Sequence, residues 1–110
     1  METIDYSKLI QDMIAAAKEK LNNQWNNVKP YAEKEFKSYA DNVKMIVQMK
    51  LDGTINEEQA RLQMTIQKNS ITIVLLTIEG LGIIAVEQAI NAAISVVKDT
   101  INTAIGWTIL

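Results

Sequence analysis

The 110-residue sequence has no cysteine and no histidine. The first absence excludes disulfides and thiol catalysis, the second excludes imidazole acid–base chemistry, and together they remove most zinc sites. A single proline and four glycines are too few to punctuate a turn-rich β-sandwich, which leaves helices as the economical way to organise the chain. The single arginine, Arg61, and a net charge of −2 argue against a nucleic-acid binder, which needs clustered positive charge to displace counterions from phosphates. Lys29, Lys34, Lys37 and Lys44 are interleaved with Glu33, Glu35 and Asp41, which describes a mixed, solvated face. The opening Met1-Glu2-Thr3-Ile4-Asp5-Tyr6 is acidic and no apolar stretch with a small-residue cleavage site follows it, so no secretory signal is read and an intracellular protein, soluble or membrane-associated, is expected.

What the chain does have is hydrophobicity, 48% of its residues, arranged with helical periodicity. Tyr6, Leu9/Ile10, Met13, Ala16/Ala17, Leu21, Trp25 and Val28 recur in steps of three and four, and the stripe resumes at Ala32, Phe36, Tyr39/Ala40, Val43 and Ile46/Val47. Because its phase survives Lys29-Pro30, the stripe predicts one long arm with a kink near Pro30. The competing reading is a loop over residues 22–29, where the Asn-rich run has weak helix propensity and Pro30 can begin a second helix. The clearest punctuation is Asp52-Gly53-Thr54-Ile55-Asn56, where glycine can end one helix and Thr54 or Asn56 can cap the next, with Glu57 and Glu58 in its first turn.

The expected architecture is therefore all-α and a single helical domain over 1–110, with arm one at 5–51, a turn at 52–55 and arm two at 56–106. The arms form a long antiparallel hairpin kinked near Pro30 and Gly80–Gly82, packed into an oligomeric bundle. A helix reversal at Gly80–Gly82 gives the alternative, a compact four-helix bundle. Arms of similar length place Trp25 beside Gly82 and Val28-Lys29 beside Glu79, and predict that Trp25 or Pro30 packs on backbone bared by Gly80 and Gly82.

Charge is unevenly spread: residues 71–110 carry four charged side chains, Glu79, Glu87, Lys98 and Asp99, against twenty in residues 1–70. From Ile71 to Val86 the sequence is apolar on nearly every face, and a helix of that kind is buried in a large core or lies in lipid. The first expectation is self-association, most simply as a two-fold dimer, through Ile71, Val74, Leu75, Ile78, Gly82, Ala85, Ala89, Ala93 and Val96. The resulting function is that of a non-enzymatic structural or assembly protein. The alternative is a membrane-associated or pore-forming protein that inserts residues 71–90. Eleven Leu, Ile or Val residues there contribute about −5 kcal/mol, and Glu79 returns about +3 kcal/mol, leaving a marginal span.

Catalytic and ligand signatures are absent. Glu79, a lone carboxylate in the apolar run, is a candidate buried acid; the plainer expectation is that it pairs with Lys29 or reaches solvent. Asp52-Gly53-Thr54-Ile55 fits the fifth to eighth positions of a calcium loop, but Gln48, Lys50 and Gln59 occupy positions that need ligating oxygens. Gly80-Leu81-Gly82 lacks the lysine and third glycine of a phosphate loop. Met45, Met49, Met64 and Leu62 are expected to cluster at the hairpin tip. No cofactor, metal, nucleic acid or small-molecule substrate is expected.

Overall fold

A computed structural model describes residues 3–110, and within them the chain is all-α. Four helices, α1 (Tyr6–Leu21), α2 (Trp25–Asp52), α3 (Glu57–Leu76) and α4 (Ile83–Ile105), pack as α1 against α2 and α4, and α3 against α2 and α4. This is the compact four-helix bundle, in place of the kinked hairpin. A continuous arm from Tyr6 to Asp52 would be roughly 70 Å long at about 1.5 Å per residue, whereas the longest dimension of the molecule is 43 Å. That dimension matches α2 alone. The opening at Met1-Glu2 lies outside the described residues.

The chain does not continue as one helix to a kink at Pro30: it reverses after α1 at Asn22, inside the 22–29 stretch of the competing loop reading, although α2 begins at Trp25 and not at Pro30. Asn22 has φ 50° and ψ −119°, a conformation that turns the backbone sharply, and a single 3-10 turn at Asn22–Gln24 then feeds directly into α2. Leu21 and Trp25 are buried on either side. A stripe counted along the sequence cannot distinguish this turn from a kink, because four residues separate Leu21 from Trp25 in both cases. Pro30 lies inside α2 and is exposed.

The turn between α2 and α3 forms where glycine and asparagine predict it. Gly53 ends α2 at φ 72° and donates to the carbonyls of Lys50 and Met49. Asn56 caps α3 by accepting from Gln59 N at 2.8 Å, while Gln59 Oε1 accepts from Asn56 N at 3.0 Å. The reciprocal pair satisfies two otherwise orphaned donors. Between α3 and α4 the chain turns again through residues 77–82, with Gly80 at φ 89°. A Cβ built on Gly80 or Gly82 would meet nothing within 4 Å, so these glycines serve the turn and no large side chain fills the space they leave. The expected packing of Trp25 or Pro30 there is thereby corrected. The two arm midpoints do meet, since Gln24 Nε2 donates to Gly80 O at 3.3 Å across one end of the bundle.

The core runs the length of the molecule: Leu9, Met13 and Ala17 from α1, Val28, Phe36, Val43 and Ile46 from α2, Met64, Ile71 and Leu75 from α3, and Val86, Ile90, Val97 and Ile101 from α4. Ala17, Ala89 and Ala93 are fully buried, which lets α1 and α4 approach closely; theirs is the most extensive pairing in the bundle and α3–α4 the thinnest. At the other end the C-terminal segment folds back. Lys50 Nζ donates to Ile105 O and stands 4.5 Å from the Trp107 ring centroid, and Asn102 Oδ1 accepts from Ile109 N and Leu110 N at 3.0 and 3.1 Å. Asn102→Ala removes the acceptor for both half-buried donors. We expect a loss of about 2 kcal/mol, read from urea unfolding, and faster amide exchange at Ile109 and Leu110.

Candidate interaction surface

The residues expected to form an interface divide between the inside and the outside of the bundle. Ile71, Leu75, Ala89 and Ala93 are core residues, Val74, Ile78 and Ala85 are half-buried, and only Gly82 and Val96 are exposed. The expectation treated residues 71–106 as one helix with a continuous face. The turn at 77–82 breaks that face and lets α3 and α4 bury it with α1 and α2. Glu79, the candidate buried acid, lies in this turn and is exposed. It has no ion pair with Lys29, which approaches Glu33 instead. The tip cluster also divides: Met64 is buried and Met49 half-buried, while Met45 and Leu62 are exposed.

The surface that the sequence reading missed is the outer side of α3. Leu62, Ile66, Ile73 and Leu76 are 57, 67, 65 and 38% exposed, and with the exposed Asn69 they follow spacings of 4, 3, 4 and 3. On a helix these five positions fall on one narrow stripe. Ala60, Met64, Ile71 and Leu75 point the opposite way into the core, so α3 is apolar on two opposed faces. The signal was legible in the spacing, but a search for one apolar stripe per helix absorbs these residues into a general hydrophobicity.

The margins of the stripe carry no charge between Leu62 and Leu76: they are Gln63, Thr65, Ser70 and Thr72, with Thr77 just beyond. Three of these hydroxyls already have partners, since Thr65, Thr72 and Thr77 donate to the carbonyls of Arg61, Lys68 and Val74 at 3.0, 3.1 and 2.6 Å. A surface with satisfied hydroxyls loses little when water leaves it. Arg61 is drawn aside, its Nη2 donating to Glu57 Oε2 at 3.1 Å and its Nε to Thr108 O at 3.2 Å. At the end of the bundle where the stripe stops at Leu76, α4 begins with the exposed Ile83 and Ile84.

Two of the hollows in the surface adjoin α3. The first, of about 420 Å³, lies at the α3–α4 turn and is lined by Asn27, Tyr31, Thr77, Ile78 and Glu79. The second, of about 280 Å³, lies among Tyr39, Met64, Thr65, Lys68, Ile94 and Ile109. Lys68 lines it on α3 between the core residues Met64 and Ile71. Tyr39 is 1% exposed, its hydroxyl has no hydrogen-bond partner, and burial holds its pKa well above the usual tyrosine value. Tyr39→Phe should therefore stabilise the fold by roughly 1 kcal/mol. Above about pH 10 the unfolded phenol ionises while the buried one stays protonated, so stability falls as pH rises. Urea titrations from pH 8 to 11 should show a shallower alkaline loss in the Phe variant.

Among the described residues no group of three or more Asp, Glu, His or Cys is placed to hold a metal ion, and no helix is long and apolar enough to cross a membrane. Residues 71–90, expected as a marginal span, are divided between α3, the turn and α4. Comparison with family models, curated proteins and solved structures finds no match for this chain. The class defined by fold and surface is thus a four-helix bundle with one helix apolar on its outer face.

Proposed function

We propose that this protein is a non-enzymatic assembly module that associates with a second copy of itself through the outer face of α3. The observation that carries the reading is the stripe Leu62, Ile66, Ile73 and Leu76, exposed on the side of α3 opposite to the core residues Ala60, Met64, Ile71 and Leu75. A row of large aliphatic side chains in water is costly, and pairing it with another such row recovers burial worth about 25 cal/mol per Å². Self-association is the simplest source of a partner, because a two-fold contact needs only one patch. The non-enzymatic part is supported by the chemistry of the chain, which has neither cysteine nor histidine and in which no carboxylate among the described residues is buried. The role expected for residues 71–106 thus passes to 62–76.

Light scattering across a concentration series, in buffer without detergent, tests the proposal. The mass should rise from that of one chain toward that of two. A mass that stays at one chain up to millimolar concentration overturns it. Co-sedimentation of such a monomer with lipid vesicles would favour the membrane-associated alternative.

A further inference from the structure

The outer stripe of α3 also prescribes how two copies meet. Written as a heptad, the spacing places Ile66 and Ile73 at the two a positions and Leu62, Asn69 and Leu76 at the three d positions. Within parallel coils, isoleucine at a with leucine at d is the combination that favours two strands, and a single polar residue at an a position can fix register; here the polar residue of the seam is at d, where its amide likewise has to find a partner. We infer that two copies of this chain dock α3 against α3 in parallel and in register, with Asn69 of one facing Asn69 of the other at the centre of the seam. This rests on the self-association proposed above.

Asn69 is what selects the arrangement. In a parallel, in-register pair each residue of the stripe meets its own counterpart, so isoleucine packs on isoleucine, leucine on leucine, and the two amides hydrogen-bond to each other. In an antiparallel coiled pair a positions face d positions, which sets Asn69 against Ile66 or Ile73 and leaves its amide unpaired against hydrocarbon. Centring an antiparallel pair on Asn69 pairs the amides and keeps Leu62 against Leu76, but it sets Ile66 against Thr72 and Ile73 against Thr65, which loses both isoleucine layers that the parallel pair retains. Displacing the parallel pair by one heptad sets Asn69 against Leu62 or Leu76 and again leaves its amide unpaired.

Electrostatics and size agree with a second copy as the occupant. The stripe's uncharged margins, Thr65 and Thr72 on one side and Gln63 and Ser70 on the other, impose no like-charge repulsion between copies and offer no attraction to a charged partner. Charged residues of α3 lie at Glu57, Glu58, Arg61 and Lys68, before the seam or behind it. The stripe from Leu62 to Leu76 gives a seam of about 21 Å. A single pair of helices meeting over so short a seam buries an area at or below the small end of stable dimer interfaces, so the pair should be in exchange with free bundles at micromolar concentration.

Because the chain has no native cysteine, orientation can be read by cross-linking single-cysteine variants with a short bis-maleimide. Leu62→Cys alone should cross-link to itself, and so should Leu76→Cys alone, while a mixture should give no excess of the mixed product. An excess of the mixed product, with little self-linking, would establish an antiparallel pair and overturn the inference while leaving self-association intact. Wild-type protein that remains monomeric by light scattering would overturn both. As a second reading, Asn69→Leu should tighten the dimer about tenfold and reduce the preference for self-linking at position 62; weaker association of that variant, with its fold intact by circular dichroism, would count against a central Asn pair.

Discussion

Ala93→Glu is expected to abolish the cooperative unfolding transition of the bundle, not simply to dissociate an oligomer. Ala93 is completely buried on α4, in the helix whose most extensive partner is α1. A glutamate there must either carry its charge into an apolar interior or displace the neighbouring helix. Among the described residues no charged side chain is buried, so none is in place to receive it. The combined cost of overpacking and an unpaired buried carboxyl is about 4 kcal/mol or more, a large share of the roughly 5–15 kcal/mol that holds a domain of this size together. Thermal denaturation followed by circular dichroism would read this as a broadened or absent transition. A sharp transition at the wild-type temperature would show that Ala93 faces outward, and would restore the small-residue face of α4 as a contact surface.

Ile73→Glu should have the opposite profile. The side chain is 65% exposed in the bundle, and surface substitutions of this kind change fold stability within about 0.5 kcal/mol. In a two-fold pair, however, the same substitution enters the interface twice and buries two carboxylates. A loss of at least 2 kcal/mol of association, roughly a thirtyfold rise in the dissociation constant, is expected. The variant should keep the thermal transition of the wild type and remain at the mass of one chain throughout a light-scattering series. Association undiminished by Ile73→Glu would place the contact elsewhere on the molecule.

The contrast between these two residues shows where sequence reasoning reaches its limit. Ala93 and Ile73 both belong to the apolar C-terminal half, and both lie in the region expected to require a partner. The periodicity of α4 is enough to place Ala93 with Ala89 on one stripe. Whether that stripe meets another helix of the same chain or of a second chain depends on how many times the backbone reverses. Two of the reversals are made by Asn22 and by the residues around Gly80, in turns short enough to leave the count of apolar residues almost unchanged. The outer stripe of α3 was visible as a spacing of 4, 3, 4 and 3, yet only the burial of Met64, Ile71 and Leu75 on the opposite side separates it from the core face. Glu79 illustrates the same point for chemistry: a carboxylate inside an apolar run is a buried acid if the run is a helix and a solvated one if the run contains a turn.

By itself, the sequence determined that the described chain is helical, that one turn falls at Gly53 with Asn56 capping the helix beyond it, and that thiol and imidazole chemistry have no place in it. These follow from local physics: side-chain period, positive φ at glycine, capping hydrogen bonds and the presence or absence of functional groups. Tertiary structure alone decided that four helices, not two, share the core, that Ala89 and Ala93 are interior, and that the outer face of α3 is left as an uncovered apolar stripe. The reason is that burial is a property of the assembled bundle. A residue's neighbours along the chain fix which way it points on its helix, and only the packing of the other helices fixes whether water is there.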